Sequence, residues 1–148
     1  MIGDVVMGEQ CSVWFHAVIR GDVHYIRLGD RTNVQDLCML HVTHDTHPLI
    51  IGSDVTIGHA AVVHACTIHD ACLIGMHATV LDGAVVHRHS MIGAGALVAP
   101  GKVVGEGELW VGNPARCVRK LSAQEIERLY YSAQHYVRLK DRYLAERA

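Results

Sequence analysis

Residues 51–105 read IGSDVTIGHAAVVHACTIHDACLIGMHATVLDGAVVHRHSMIGAGALVAPGKVVG. Aliphatic residues recur every six positions at Ile51, Ile57 and Val63. After a slip of one residue they recur again at Ile68, Ile74, Val80, Val86, Ile92, Val98 and Val104. Gly follows the aliphatic residue at Gly52, Gly58, Gly75, Gly93 and Gly105. A small residue or Val stands four places after it, at Val55, Ala61, Cys72, Ala78, Ala84, Ser90 and Ala96. The phase extends backwards through Met7-Gly8, Val13, Ile19, Leu28-Gly29, Val34 and Leu40. So long a run in phase is not expected of ordinary alternating strands. It predicts a parallel β-helix in which each hexad is a short strand plus a turn and three hexads make one triangular coil. The aliphatic residue points into a thin prism, the turn takes a small residue, and coils stack about 4.8 Å apart.

Two insertions break the period. Ile19 to Leu28 spans nine residues and Leu40 to Ile51 spans eleven, and the second carries His44-Asp45-Thr46-His47-Pro48, which reads as a protruding loop. After Trp110 the pattern ends in the turn Gly112-Asn113-Pro114, and Ser122 with Glu125 forms a capping box. Ile126, Leu129, Tyr130, Ala133, Val137 and Leu144 follow near helical spacing, predicting an amphipathic helix over about residues 123–146, packed on the prism or on a neighbouring subunit. The division is therefore a β-helix over 1–115 and a turn and helix over 116–148. The segment from Arg116 to Arg147 holds eight of the 13 basic residues and reads as a solvated helix face.

The 148-residue chain is the size of one domain, 50% hydrophobic and 19% charged, so it can bury a core. A formal net charge of -2 excludes a strongly basic nucleic-acid binder. No apolar run is long enough to span a bilayer, and the N-terminal residues show no signal peptide, which reads as a cytoplasmic protein. Cys11, Cys38, Cys66, Cys72 and Cys117 form no C-x-x-C pair and read as reduced, buried, inert thiols. Aromatics are only 5% of residues, which suits a narrow, regular core.

Register arithmetic gathers polar residues. Ile19, Leu40 and Val63 open hexads on one face, a coil apart each time, so Arg20, His41 and His64 form an outward column. His41 and His64 are then about 5 Å apart at the backbone, a spacing that suits one shared metal ion. On another face Val34 and Ile57 correspond, which places Asp36 and His59 a coil apart with Gln35 alongside. One prism does not easily bring His59 to its own His64, whereas a three-fold neighbour could supply its copy. Three imidazoles and an open position would be the ligand set of a catalytic zinc. Stacked outward histidines can equally pair with carboxylates or solvent, and with 12 His some alignment arises by chance.

Arg20-Gly21-Asp22, Asn33-x-Gln35-Asp36, Leu40-His41-x-Thr43 and Ile57-Gly58-His59-x4-His64 together resemble the γ-class carbonic anhydrases, within them the subgroup of phenylacetic-acid-degradation and carnitine-operon proteins. Ser12-Val13-Trp14-Phe15, Leu81-Asp82-Gly83-Ala84 and Leu109-Trp110-x-Gly112-x-Pro114-Ala115 extend the likeness over nearly the whole chain. The resemblance implies an all-β, left-handed β-helix with a C-terminal helix, assembled as a homotrimer. It implies zinc held by His41 and His64 of one subunit and His59 of the next, at a site that also accepts Fe2+ or Co2+. It implies an Arg20–Asp36 pair across the interface, a water oriented by Gln35, and a supporting network of Asn33 and Asp22.

The expected activity is that of a lyase, zinc-hydroxide attack on carbon dioxide to give bicarbonate. The alternatives are acyl transfer or thioester hydrolysis on coenzyme A derivatives, with Arg116, Arg119 and Lys120 for the phosphates, or a non-catalytic metal-binding assembly protein. The chain departs from the family pattern in three places. No acidic loop stands beside the site, leaving His44, His47 or Tyr136 as proton carriers. Met76-His77 replaces Met-Gly at a turn, which predicts strain or an accessible imidazole. The residues before Ile2-Gly3-Asp4 are few, so the first coil looks shortened.

Overall fold

The structure, a computed structural model, describes residues 1–146. It is an all-β, left-handed parallel β-helix with one C-terminal helix. One face of the prism stacks Val18–Leu28, Met39–His41, Val62–His64, Thr79–Val80 and Leu97–Val98 in parallel register. A second stacks the far half of Val18–Leu28 with Leu49–Ile51, Thr67–Ile68, Val85–Val86 and Val103–Val104. The third runs from Ser12–Val13 through Asn33–Val34, Thr56–Ile57, Leu73–Ile74 and Met91–Ile92 to Glu108–Val111. The nine-residue spacing from Ile19 to Leu28 is not a loop. Val18–Leu28 is a continuous strand that serves two faces, and Ile2–Met7 pairs along it. The second insertion does project, closed by a Thr43–His47 bridge.

The aliphatic positions lie inside. Ile57, Val63, Ile74, Val80, Val86, Ile92 and Val98 are fully buried, with Ala61, Cys72, Ala78, Ala84 and Ala96 filling the corners between them. This is a core one side chain wide, and burying each large aliphatic side chain is worth about 1.5–3 kcal/mol. Cys38, Cys66 and Cys72 belong to it, and burial pushes the Cys66 thiol up and that of Cys72 up to about 12, so both stay inert. Cys11 is only half-buried and Cys117 is exposed, so the expectation of burial fails for these two.

The repeat glycines are required for a different reason from the one the sequence suggested. Gly75 is not in the left-handed region, but a Cβ on it would sit 2.6 Å from the Ala94 backbone N of the next coil. Close stacking, rather than turn conformation, excludes a side chain there. The left-handed corners are held instead largely by non-glycine residues, among them Leu37, Ala60 and His77, which share one corner column with Gly95.

At the C-terminal end the chain turns after Val111 and returns as the strand Arg116–Lys120, antiparallel to Glu108–Val111. Every residue of that strand is exposed, so no hydrophobic alternation announced it. The helix Ala123–Ala145 follows, with Ser122 and Glu125 forming both bonds of the capping box. It packs on the prism through buried Leu129 and Ala133, whereas Tyr130 and Leu144, expected on its apolar face, are exposed. Trp14 from the first coil meets Tyr136 and Tyr143 edge to face, each at 5.5 Å. Among the described residues no helix is long and apolar enough to cross a membrane.

Candidate functional site

The structure sorts the expected site residues into two groups on different faces. Arg20, His41 and His64 stand in register on the first face. Their side chains join a continuous relay. Arg20 Nη1 donates to Asp22 Oδ2 at 2.6 Å, and Asp22 Oδ1 lies 3.2 Å from His41 Nε2. His41 Nδ1 faces His64 Nε2 at 3.1 Å, and His64 Nδ1 reaches Asp82 Oδ1 at 2.7 Å. The Thr43 hydroxyl donates to the other oxygen of Asp82. Arg20, and to a lesser degree His41, hold the Asp22 carboxyl below the ordinary carboxylate range. Partial burial works against the same effect at Asp82, but the hydrogen bonds from Thr43 and His64 prevail and hold it low as well.

This arrangement overturns the expected metal centre. Among the described residues no group of three or more His, Cys, Asp and Glu side chains is placed to hold a metal ion. The geometry gives the reason. The inner nitrogens of His41 and His64 point at each other, their outer nitrogens are taken by Asp22 and Asp82, and His59 lies on the third face. The two rings thus spend their four nitrogens on each other and on two carboxylates. The residues do not fit zinc, Fe2+ or Co2+. Zinc-hydroxide hydration of carbon dioxide, a metal shared within a trimer and a metal-binding scaffold are set aside with them.

The second group borders a groove between the third face and the C-terminal helix. Its volume is about 400 Å3, and Gln35, Thr56, His59, Met91, Ser132 and Tyr136 are among its lining residues. His59 Nδ1 lies 2.9 Å from Asp36 Oδ2, and its side chain is 45% exposed. Among the described residues His59 Nε2 has no partner. Within the chain, therefore, Asp36 pairs with His59 and Arg20 with Asp22. The His59 backbone N donates to Gln35 Oε1 at 3.2 Å, and Gln35 Nε2 donates to Asn33 Oδ1 at 3.2 Å. Asn33 Nδ2 donates to Thr56 Oγ1 at 3.0 Å, and Thr56 Oγ1 lies 3.1 Å from Ser132 Oγ on the helix. Asn33, Gln35 and Thr56 are all buried, so the Gln35 amide is held in one orientation. Burial first, and then the charge of Asp36, raises the Tyr136 phenol above its ordinary value.

His44 sits exposed beside Asp45, and His47 lies against Gly83 at the Asp82 corner. Arg119 is clamped by both oxygens of Glu125, and Lys120 is bonded to Glu108 Oε1 and the Glu106 carbonyl. Arg116 donates to the Ala115 carbonyl. The basic groove expected for phosphates is thus largely neutralised from within. Sequence reasoning missed Asp82, Thr43, Thr56 and Ser132 as members of the two networks. Asp82 was within reach of register arithmetic, because Val80 pairs with Val63 and Asp82 stands two residues further on. Ser132 was not, since its partner is 76 residues away.

Residues 65–100 match the bacterial transferase hexapeptide (six repeats) family. The chain is 49% identical over 150 residues to Protein YrdA of Escherichia coli (strain K12), covering 97% of this chain and 82% of that protein. It is 47% identical over 153 residues to Gamma carbonic anhydrase 1, mitochondrial, of Arabidopsis thaliana, covering 100% of this chain and 56% of that relative. The chain therefore spans little more than half the length of the plant protein. A hexapeptide transferase family protein from Anaplasma phagocytophilum superposes with a TM-score of 0.91 at 42% identity, covering 95% of this chain and 82% of that one.

Proposed function

The chain belongs to the γ-class carbonic-anhydrase-like family of hexapeptide-repeat proteins, and from that premise we propose that it is an acyl-transfer enzyme acting on a coenzyme A thioester. The observation that carries this reading is the His59–Asp36 pair at a groove, with His59 Nε2 unpaired among the described residues. A histidine with a carboxylate 2.9 Å from one nitrogen and the other nitrogen open has the form of a general base. His59 takes the proton of an attacking hydroxyl, from water or from an alcohol acceptor. The oxygen bonds to the thioester carbonyl carbon, the C–S bond breaks, and the thiolate leaves with the proton from His59. The Gln35 amide, fixed through Asn33, supplies its second hydrogen to the carbonyl oxygen as charge develops there. The His41–His64 relay with Asp22 braces the neighbouring face.

Thiol release from acyl-coenzyme A measures this reaction, and adding an alcohol acceptor separates transfer from hydrolysis. His59→Ala is expected to lower kcat/KM by about 10²–10⁴-fold. A wild-type protein that releases no thiol from any acyl-coenzyme A, with or without an acceptor, defeats the reading. The homotrimer implied by the resemblance would use the outward column of Val18, Met39 and Val62, of which Val18 is 41% and Met39 36% exposed. Sedimentation equilibrium reads the subunit number directly.

A further inference from the structure

The outward column of the third face changes character along its length. Register places Ser12, Asn33, Thr56, Leu73, Met91 and Leu109 one above another. The polar half is engaged, with Thr56 tied to Ser132 of the helix and Asn33 tied to Thr56. The apolar half floors the groove. Leu73 and Met91 are half-buried there, and Met76 stands at the rim, 53% exposed. No Asp, Glu, Lys or Arg is among the described residues lining this groove. Its polar lining residues are Gln35, Thr56, His59, Ser132 and Tyr136, and the His59 backbone N donates to Gln35 Oε1. A volume of about 400 Å3 lies within the range of small-molecule sites, well beyond what an acetyl group occupies.

We propose that the apolar half of this groove holds the acyl portion of the substrate, and that the enzyme prefers an acyl chain of several carbons over acetyl. This inference rests on the thioester reading for the identity of its ligand. The carbonyl lies beside His59 and Gln35, and the alkyl tail runs along Leu73, Met91 and Met76. Each methylene buried there strengthens binding by about fourfold. The groove excludes charged acyl groups, since nothing along its apolar floor would pair them.

The test titrates the full-length protein calorimetrically with two thioethers that cannot be cleaved, S-ethyl-coenzyme A and S-hexyl-coenzyme A. The hexyl compound is expected to bind at least about tenfold more tightly, since four extra methylenes enter a half-open groove. Met91→Trp fills the floor and is expected to bring the ratio of the two dissociation constants near one. Met76→Glu, at an exposed rim where folding is not at stake, is expected to lower the ratio in the same direction. A wild-type ratio near one, a ratio unchanged by both variants, or no binding of either thioether overturns the inference. The two readings fail separately. Chain-length-dependent binding without thiol release from any acyl-coenzyme A keeps the groove and removes the reaction, whereas release that is indifferent to chain length does the opposite.

Discussion

Gly75, one residue after Ile74, and Gly95, three after Ile92, serve the prism for opposite reasons. A Cβ at Gly75 meets the next coil's backbone at 2.6 Å, whereas Gly95 has open space around it and a φ of +67. Gly75→Ala must push coils apart and is expected to cost about 1–3 kcal/mol or more. Gly95→Ala meets only the left-handed penalty, about 1 kcal/mol, partly offset by the lower entropy of the unfolded chain. Urea unfolding ranks the two, and a larger loss at Gly95 would contradict the stacking argument. His77 occupies the same corner column with a φ of 57, so the strain expected at Met76-His77 is real backbone strain. His77→Gly is expected to stabilise the fold by about 0.5–1 kcal/mol at unchanged m-value.

At the level of elements, the C-terminal helix was legible because its signals are local. A capping box, a 3.6-residue period and the absence of Gly and Pro all fall within one segment. The strand Arg116–Lys120 was not, because its exposed, charged residues carry no pattern and only the antiparallel partner defines it. Ser122→Ala removes the side-chain acceptor for Glu125 N and is expected to cost about 1 kcal/mol by thermal or urea unfolding. The Glu125 carboxyl, held by Arg119 and then by the Ser122 backbone N–H, is lowered to about 2. Its folded value lies below its unfolded one, near 4.3. The stabilisation is therefore complete above that unfolded value and is lost as the pH falls towards about 2. NMR titration of the carboxyl is expected to show a midpoint near 2, moving back towards 4 in Arg119→Ala. An unshifted midpoint in the wild type would rule out the clamp.

Across the whole molecule, the period of six predicted which residues stack, and that part of the site was readable. The columns Arg20–His41–His64 and Asp36–His59 follow from register alone. What the two histidines do with their nitrogens was not readable, because side-chain direction is set by carboxylates off the column, such as Asp82. The groove was equally hidden, since it exists only where a distant helix lies against the third face. Coils in a solenoid touch only their neighbours, but here the helix adds a long-range link. Trp14→Ala removes two edge-to-face contacts with that helix, each worth about 0.5–1.5 kcal/mol beyond area burial. Hydrogen exchange is expected to quicken by about tenfold or more at the Ser12 and Trp14 amides and to stay unchanged at Gly75. Equal acceleration at all three would mean that the prism opens as one unit.

The helix begins at the last coil, where Glu125 is bound to Arg119, crosses the middle at Ser132, and reaches the first coil, where Lys140 donates to Gln10. The chain thus doubles back along its own prism and brings residues 10 and 140 together. A tensile load applied near these two positions would peel the helix away before it reached any coil. The strap would act as a mechanical fuse, yielding first and leaving the stacked strands intact.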